Sequence, residues 1–140
     1  PVAYSINTEE HFGNQMVYVS SNELKEGDRI TIKYRIRRET VGMAVSKEDL
    51  KKHLVLTERE SWSENITDFV DRTVAGLKDP LEIGRKIYYA LIDYLTYDKT
   101  IPGCGLGISE WTFENKAGRC DDFHALFRTM MIYKGIPVKW

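Results

Sequence analysis

One stretch, Gly118-Arg119-Cys120-Asp121-Asp122-Phe123-His124-Ala125-Leu126-Phe127, limits what this chain can fold into more than any other. Phe123, Leu126, Phe127, Met130 and Met131 recur at helical spacing, so a helix over about 119–134 must bury one face. Gly135 then supplies a left-handed cap and Pro137 bars continuation. Residues 136–140 are therefore expected to leave as an extended strand. Cys120 falls in the first turn of this helix, just after Gly118. There the unsatisfied N–H groups and the positive end of the helix dipole favour sulfur as an anion, which makes Cys120 a candidate nucleophile. The competing reading is structural, because a free cysteine behaves as a small buried hydrophobe in most helices.

The residues from Trp111-Thr112-Phe113-Glu114-Asn115-Lys116-Ala117-Gly118-Arg119-Cys120-Asp121-Asp122-Phe123 through Gly135-Ile136-Pro137-Val138-Lys139 resemble the core of the transglutaminase-like superfamily. That family's pattern is Gly-x-Cys, an acidic or small residue, an apolar helix, then Gly-Ile-Pro with a basic residue opening a strand. By this resemblance Cys120 takes the nucleophile's place, Gly118 that of the glycine before it, and Gly135-Ile136-Pro137 the turn from helix to strand. The resemblance implies an α+β fold of the papain-like cysteine proteinase kind, incomplete in this chain and preceded by a β-rich segment. It also implies a Cys-His-Asp triad whose His and Asp stand on strands well past the Gly-Ile-Pro turn, beyond residue 140. His124 stands where the family usually has a small residue. It lies one turn after Cys120 on roughly the same face, so a local Cys-His pair is a second arrangement to weigh.

Trp111, Gly118, Arg119 and His124 are the candidates for the cleft and the oxyanion region. Trp111 enters by loose analogy with aromatic residues near the family's nucleophile, and closing the core over a loop is its other reading. Two functions from different classes follow. One is a cysteine-dependent acyl-transfer enzyme, a peptidase, an amidase or a protein-glutamine transglutaminase, acting on a protein or peptide substrate. The other is a non-catalytic binding or scaffolding module on the same fold. Asp121 and Asp122 suit the helix dipole, but their charge opposes a thiolate beside them and so favours the module. A His and then an Asp in the residues following Trp140 would distinguish the enzyme.

Composition excludes other classes. At 140 residues the chain can build one ordinary core, and with a net charge of -1 it has no basic surplus to attract nucleic acid or an anionic membrane. The basic residues Lys33, Arg35, Arg37 and Arg38 fall on the polar side of an expected strand. No apolar run reaches the length of about 18 residues that a membrane helix needs. Because the chain begins at Pro1 rather than Met, the lack of a signal peptide at its start leaves the compartment open. Cys104 and Cys120 are the only cysteines and there are three histidines, so no metal-ligand spacing is present and no metal or cofactor is implied. Two free thiols are preferred over a Cys104–Cys120 disulfide, which an oxidising compartment would permit.

The remaining chain divides into a β-rich segment, residues 1–45, and the first part of the transglutaminase-like core, residues 46–140. In the first, Met16-Val17-Tyr18-Val19 reads as a strand and Glu26-Gly27-Asp28 as a turn. Ile30, Ile32, Tyr34 and Ile36 alternate with polar residues, as in a half-buried antiparallel strand. In the second, Ser46 caps a short helix through Lys52, and Leu54-Val55-Leu56 reads as a brief strand, with His53 between them assigned no chemistry. Ser61-Trp62-Ser63-Glu64 has capping-box spacing ahead of a stripe of Ile66, Phe69, Val70, Val74 and Leu77. Asp79-Pro80-Leu81-Glu82 opens another helix, with Ile83, Ile87, Tyr88, Leu91, Ile92 and Leu95 as its buried face. Tyr94 and Tyr97 join an aromatic cluster read as packing. The glycine-rich stretch between Thr96 and Gly118 lacks the Gly-Lys-Ser/Thr ending of a phosphate loop and reads as a long loop walling a cleft. A core cut short after its nucleophile helix exposes an edge and apolar helix faces, through which self-association is expected.

Overall fold

The computed structural model describes residues 3–8, 10, 15–33, 35 and 45–139, and the chain divides into two units, Pro1–Ala44 and Val45–Trp140. In the first unit β1 (Ala3–Thr8) and β2 (Gln15–Ser20) form an antiparallel pair in the register Ala3↔Ser20 to Thr8↔Gln15. Every residue of the pair is exposed except the half-buried Val19. Lys25 and Asp28 close the predicted turn, with Asp28 N–H on the Lys25 carbonyl at 3.0 Å and Gly27 at φ 91° in the position that requires glycine. Residues 30–33 and 35 take no regular structure, contrary to the alternation, and Ile30 and Ile32 are 47% and 54% exposed. Alternation makes a strand only where a ladder partner and a surface to cover are present, and β1 and β2 pair with each other. Tyr34, Ile36, Arg37 and Arg38 lie outside the described residues.

The second unit is α+β: α1 (Lys47–Lys52), α2 (Glu64–Thr73), α3 (Pro80–Tyr94), β3 (Thr96–Tyr97), α4 (Ser109–Asn115), β4 (Ala117–Gly118) and α5 (Cys120–Tyr133). Ser46 caps α1 through its hydroxyl, which accepts from Asp49 N–H at 3.0 Å. Asp79 caps α3, accepting from Leu81 N–H at 2.7 Å and Glu82 N–H at 3.4 Å, with Pro80 at the first helical position. Helix α2 starts later than its capping-box spacing indicates, with Ser63 as a cap that makes no side-chain bond. Ser61 is engaged elsewhere: its N–H donates to the Ser109 hydroxyl at 2.9 Å, and that hydroxyl donates to its carbonyl at 2.8 Å.

The core lies where α2, α3 and α5 meet, with Ile66, Val70, Ile87, Leu91, Leu126 and Met130 at its centre. Tyr88 and Ile92, counted in the buried face of α3, are instead 54% and 47% exposed. A four-residue repeat through Ile83, Ile87, Leu91 and Leu95 covers the neighbours available, and the widened stripe has nothing to bury it in this unit. Tyr94 packs on Phe69 and Phe113, each with ring centroids 5.0 Å away, whereas Tyr97 meets Phe123 at 6.1 Å, so the two tyrosines serve separate contacts.

Helix α5 ends in a Schellman arrangement. Gly135 N–H donates to Ile132 C=O at 2.8 Å and Ile136 N–H to Met131 C=O at 2.9 Å, with Gly135 at φ 71°. The chain beyond it is not a strand through residue 139; Val138 N–H reaches the His53 carbonyl at 3.4 Å. Leu54-Val55-Leu56 is likewise irregular: Leu54 N–H closes a turn on Lys51 C=O at 3.1 Å and Val55 C=O accepts from a side chain, so no ladder forms. Arg128, 3% exposed on α5, donates to Val55 C=O at 2.6 Å and pairs with the buried Glu60 carboxylate. Glu60 in turn accepts from Thr57 N–H at 2.8 Å.

Candidate active site

The stretch read as a loop contains three elements that set the start of α5. β3 and β4 are parallel, tied by Thr96 N–H to Lys116 C=O at 2.8 Å and Asp98 N–H to Gly118 C=O at 2.9 Å. Between them α4 is preceded by Ile108, a cap residue that makes no side-chain bond, and followed by Lys116 in the left-handed region, φ 51°. Neither end carries the chemistry by which helices are recognised in a sequence.

At the start of α5, Asp122 is fully buried and its carboxylate holds three backbone donors. Oδ1 accepts from Leu106 N–H at 2.7 Å and Gly107 N–H at 2.8 Å, and Oδ2 from Arg119 N–H at 2.8 Å. The last bond is one half of a capping box; an arginine side chain has no acceptor to make the other half. Two glycines permit this approach. A Cβ on Gly105 would stand 2.5 Å from Asp122 Oδ2, and one on Gly118 would stand 2.6 Å from Asp122 Cβ. Gly118 therefore lets the carboxylate clasp fit under the chain that delivers Cys120.

Cys120 is exposed at the first position of α5. Its thiol donates to the carbonyl oxygen of Cys104 at 3.3 Å, and the same oxygen accepts from Asp121 N–H at 3.0 Å. A carbonyl oxygen is thus seated between the sulfur and a first-turn N–H group. Arg119 runs its guanidinium to Ile101 C=O at 3.1 Å. Its pKa is raised, first by the hydrogen bond with Tyr97 and further by the charges of Cys104 and Cys120, so a fixed cation lies near both sulfurs. The Cys104 thiol is pushed up from its ordinary value, chiefly by the charge and hydrogen bond of Cys120 and then by Asp121, with Arg119 acting the other way.

Of the other candidates, Trp111 is half-buried on α4, where its carbonyl accepts from Asn115 at 2.8 Å. His124 is exposed one turn along α5, at a pocket it lines with Phe127, Arg128, Val138 and Lys139. Asp122 and Cys104 enter in ways the sequence did not indicate: there Asp122 counted only as a charge opposing the thiolate, and Cys104 as a free thiol or a disulfide partner. The available signal was glycine spacing: Gly105 and Gly118 are both placed where a buried carboxylate passes. Among the described residues no group of His, Cys, Asp and Glu is arranged to hold a metal ion, and no helix is long and apolar enough to cross a membrane.

Fold and site together define an α+β unit whose central helix opens on an exposed cysteine, its sulfur sharing a carbonyl acceptor with the Asp121 N–H. The family model of the transglutaminase-like superfamily matches residues 67–140, and the chain belongs to that superfamily. Comparison with curated proteins and with solved structures returned no match.

Proposed function

We propose that this chain carries the nucleophile of a cysteine-dependent acyl-transfer enzyme built on the papain-like cysteine proteinase fold, and that Cys120 is that nucleophile. The observation that carries this reading is the carbonyl oxygen held between Cys120 Sγ and Asp121 N–H, at 3.3 and 3.0 Å. A substrate carbonyl that displaced the Cys104 oxygen would present its carbon to the sulfur and its oxygen to a helix N–H group. That is the arrangement an oxyanion needs. The Cys120 thiolate adds to the carbonyl carbon of a carboxamide or peptide, the C–N bond breaks as the amine takes up a proton, and an acyl thioester remains. Water as the second substrate then gives hydrolysis, and an amine gives transamidation.

The proton carrier in this scheme is a histidine oriented by an aspartate, which the family resemblance implies on strands after the Gly135-Ile136-Pro137 turn. Family breadth favours hydrolysis of a peptide or amide. The first half-reaction is testable on the chain itself, because an activated aryl ester needs little help for its leaving group. The expected result is a single acyl adduct mapped by mass spectrometry to Cys120 and absent in Cys120→Ala. Equal acylation of Cys104 and Cys120, or none at either, would count against the assignment.

A further inference from the structure

The mechanism above uses Cys120 and leaves Cys104 without a part, although the two residues are in direct contact. Both thiols are free and both are exposed. The Cys104 backbone takes two hydrogen bonds from the start of α5, one of them from the Cys120 thiol at 3.3 Å. The Cys104 side chain branches from the carbon next to that carbonyl, so its sulfur is tethered within a few bonds of the nucleophile. The clasp of Asp122 on Leu106 and Gly107 keeps the loop there, at 2.7 and 2.8 Å. We propose that Cys104 is the resolving thiol for Cys120, and that the pair closes to a disulfide which takes the nucleophile out of use under oxidising conditions. This inference rests on Cys120 being the reactive thiol of the proposed function and adds its regulation.

The co-reactant is a small-molecule disulfide, RSSR. Cys120 gives its proton to solvent, and the thiolate attacks one sulfur of RSSR. A Cys120–S–S–R bond forms, and RS⁻ leaves and is protonated. Cys104, deprotonated, then attacks Cys120 Sγ; the Cys104–Cys120 bond forms and the second RS⁻ leaves and is protonated. Two protein thiols lose two electrons in total, and one RSSR becomes two RSH. The order follows from the local charges. The charge of Cys120 is the main influence holding the Cys104 thiol protonated, and capping Cys120 as a mixed disulfide removes that charge, so the first step prepares the second.

The test is to equilibrate the full chain with oxidised and reduced glutathione at graded ratios, quench in acid, and read intact mass and peptide maps. The expected product in the wild type is an intramolecular Cys104–Cys120 link with no retained glutathione, reversed by reductant, while Cys104→Ser stops at a glutathione adduct on Cys120. A wild type that stops at the same adduct, or that forms only disulfide-linked dimers, overturns the inference. The iodoacetamide rate of Cys120 in Cys104→Ser separates the two ideas. A fast rate with no intramolecular disulfide in the wild type leaves the nucleophile reading standing, whereas a rate no higher than in urea points to failure of that reading itself.

Discussion

Asp122 shows how much of this site depends on a single side chain. Its carboxylate joins the glycine loop to the cap of α5 through three backbone N–H groups, and no water reaches it to take over. Asp122→Asn keeps the shape. With the amide oxygen facing Leu106 and Gly107, however, its NH2 opposes the Arg119 N–H. The expected cost is roughly 1–3 kcal/mol in urea unfolding, the price of leaving a buried donor unpaired. Amide exchange at Leu106, Gly107 and Arg119 should quicken with it; unchanged stability and exchange would show that the clasp is not holding the loop. The helix start at Cys120 was legible in the sequence because its punctuation is local, a glycine two residues before and a cap at the helix end. The clasp was not, because Leu106 and Gly107 lie 16 and 15 residues from Asp122 and nothing nearby announces the pairing. As a sequence, Asp122 counted as a charge unfavourable to the thiolate; in the structure its charge is spent on backbone donors.

At the level of elements, helices with chemical signals at their ends were readable: α1 from Ser46, α3 from Asp79 and Pro80, and the close of α5 from Gly135. Helix α4 was hidden by an apolar cap and a left-handed lysine. The strands expected at 30–36, 54–56 and 136–140 failed, within the residues described, for one reason: each needed a ladder partner that no local pattern supplies. Helices α2 and α5 are joined at their ends by Asp71, which accepts from the Tyr133 hydroxyl at 2.8 Å and from Lys134 at 3.0 Å. Asp71 is held below its ordinary value of 3.8, chiefly by Tyr133 and then by Lys134. A lowered carboxylate pKa stabilises the fold fully above pH 3.8 and ceases to do so as pH falls through the lowered value. Asp71→Asn should therefore reduce the urea midpoint at neutral pH, and the gap to wild type should close in strong acid. A gap that persists there would mean the contact is not electrostatic.

Across the molecule, membership of the transglutaminase-like superfamily was readable from two punctuated motifs at fixed separation, and the match over residues 67–140 rests on the same region. What the motifs could not convey is how Cys120 is presented. That depends on a buried pair, Glu60 with Arg128, bracing α5 against the segment before α2, and on a glycine loop folded back across the helix start. The account's central claim is that this setting makes Cys120 a reactive thiol. It is tested most directly by the rate at which iodoacetamide alkylates Cys120 at neutral pH in Cys104→Ala, folded and in denaturing urea. The folded chain should react faster by about tenfold or more, as activated cysteines at helix N-termini do relative to an unfolded thiol. A folded rate equal to or below the unfolded one would contradict the claim and leave Cys120 a structural residue.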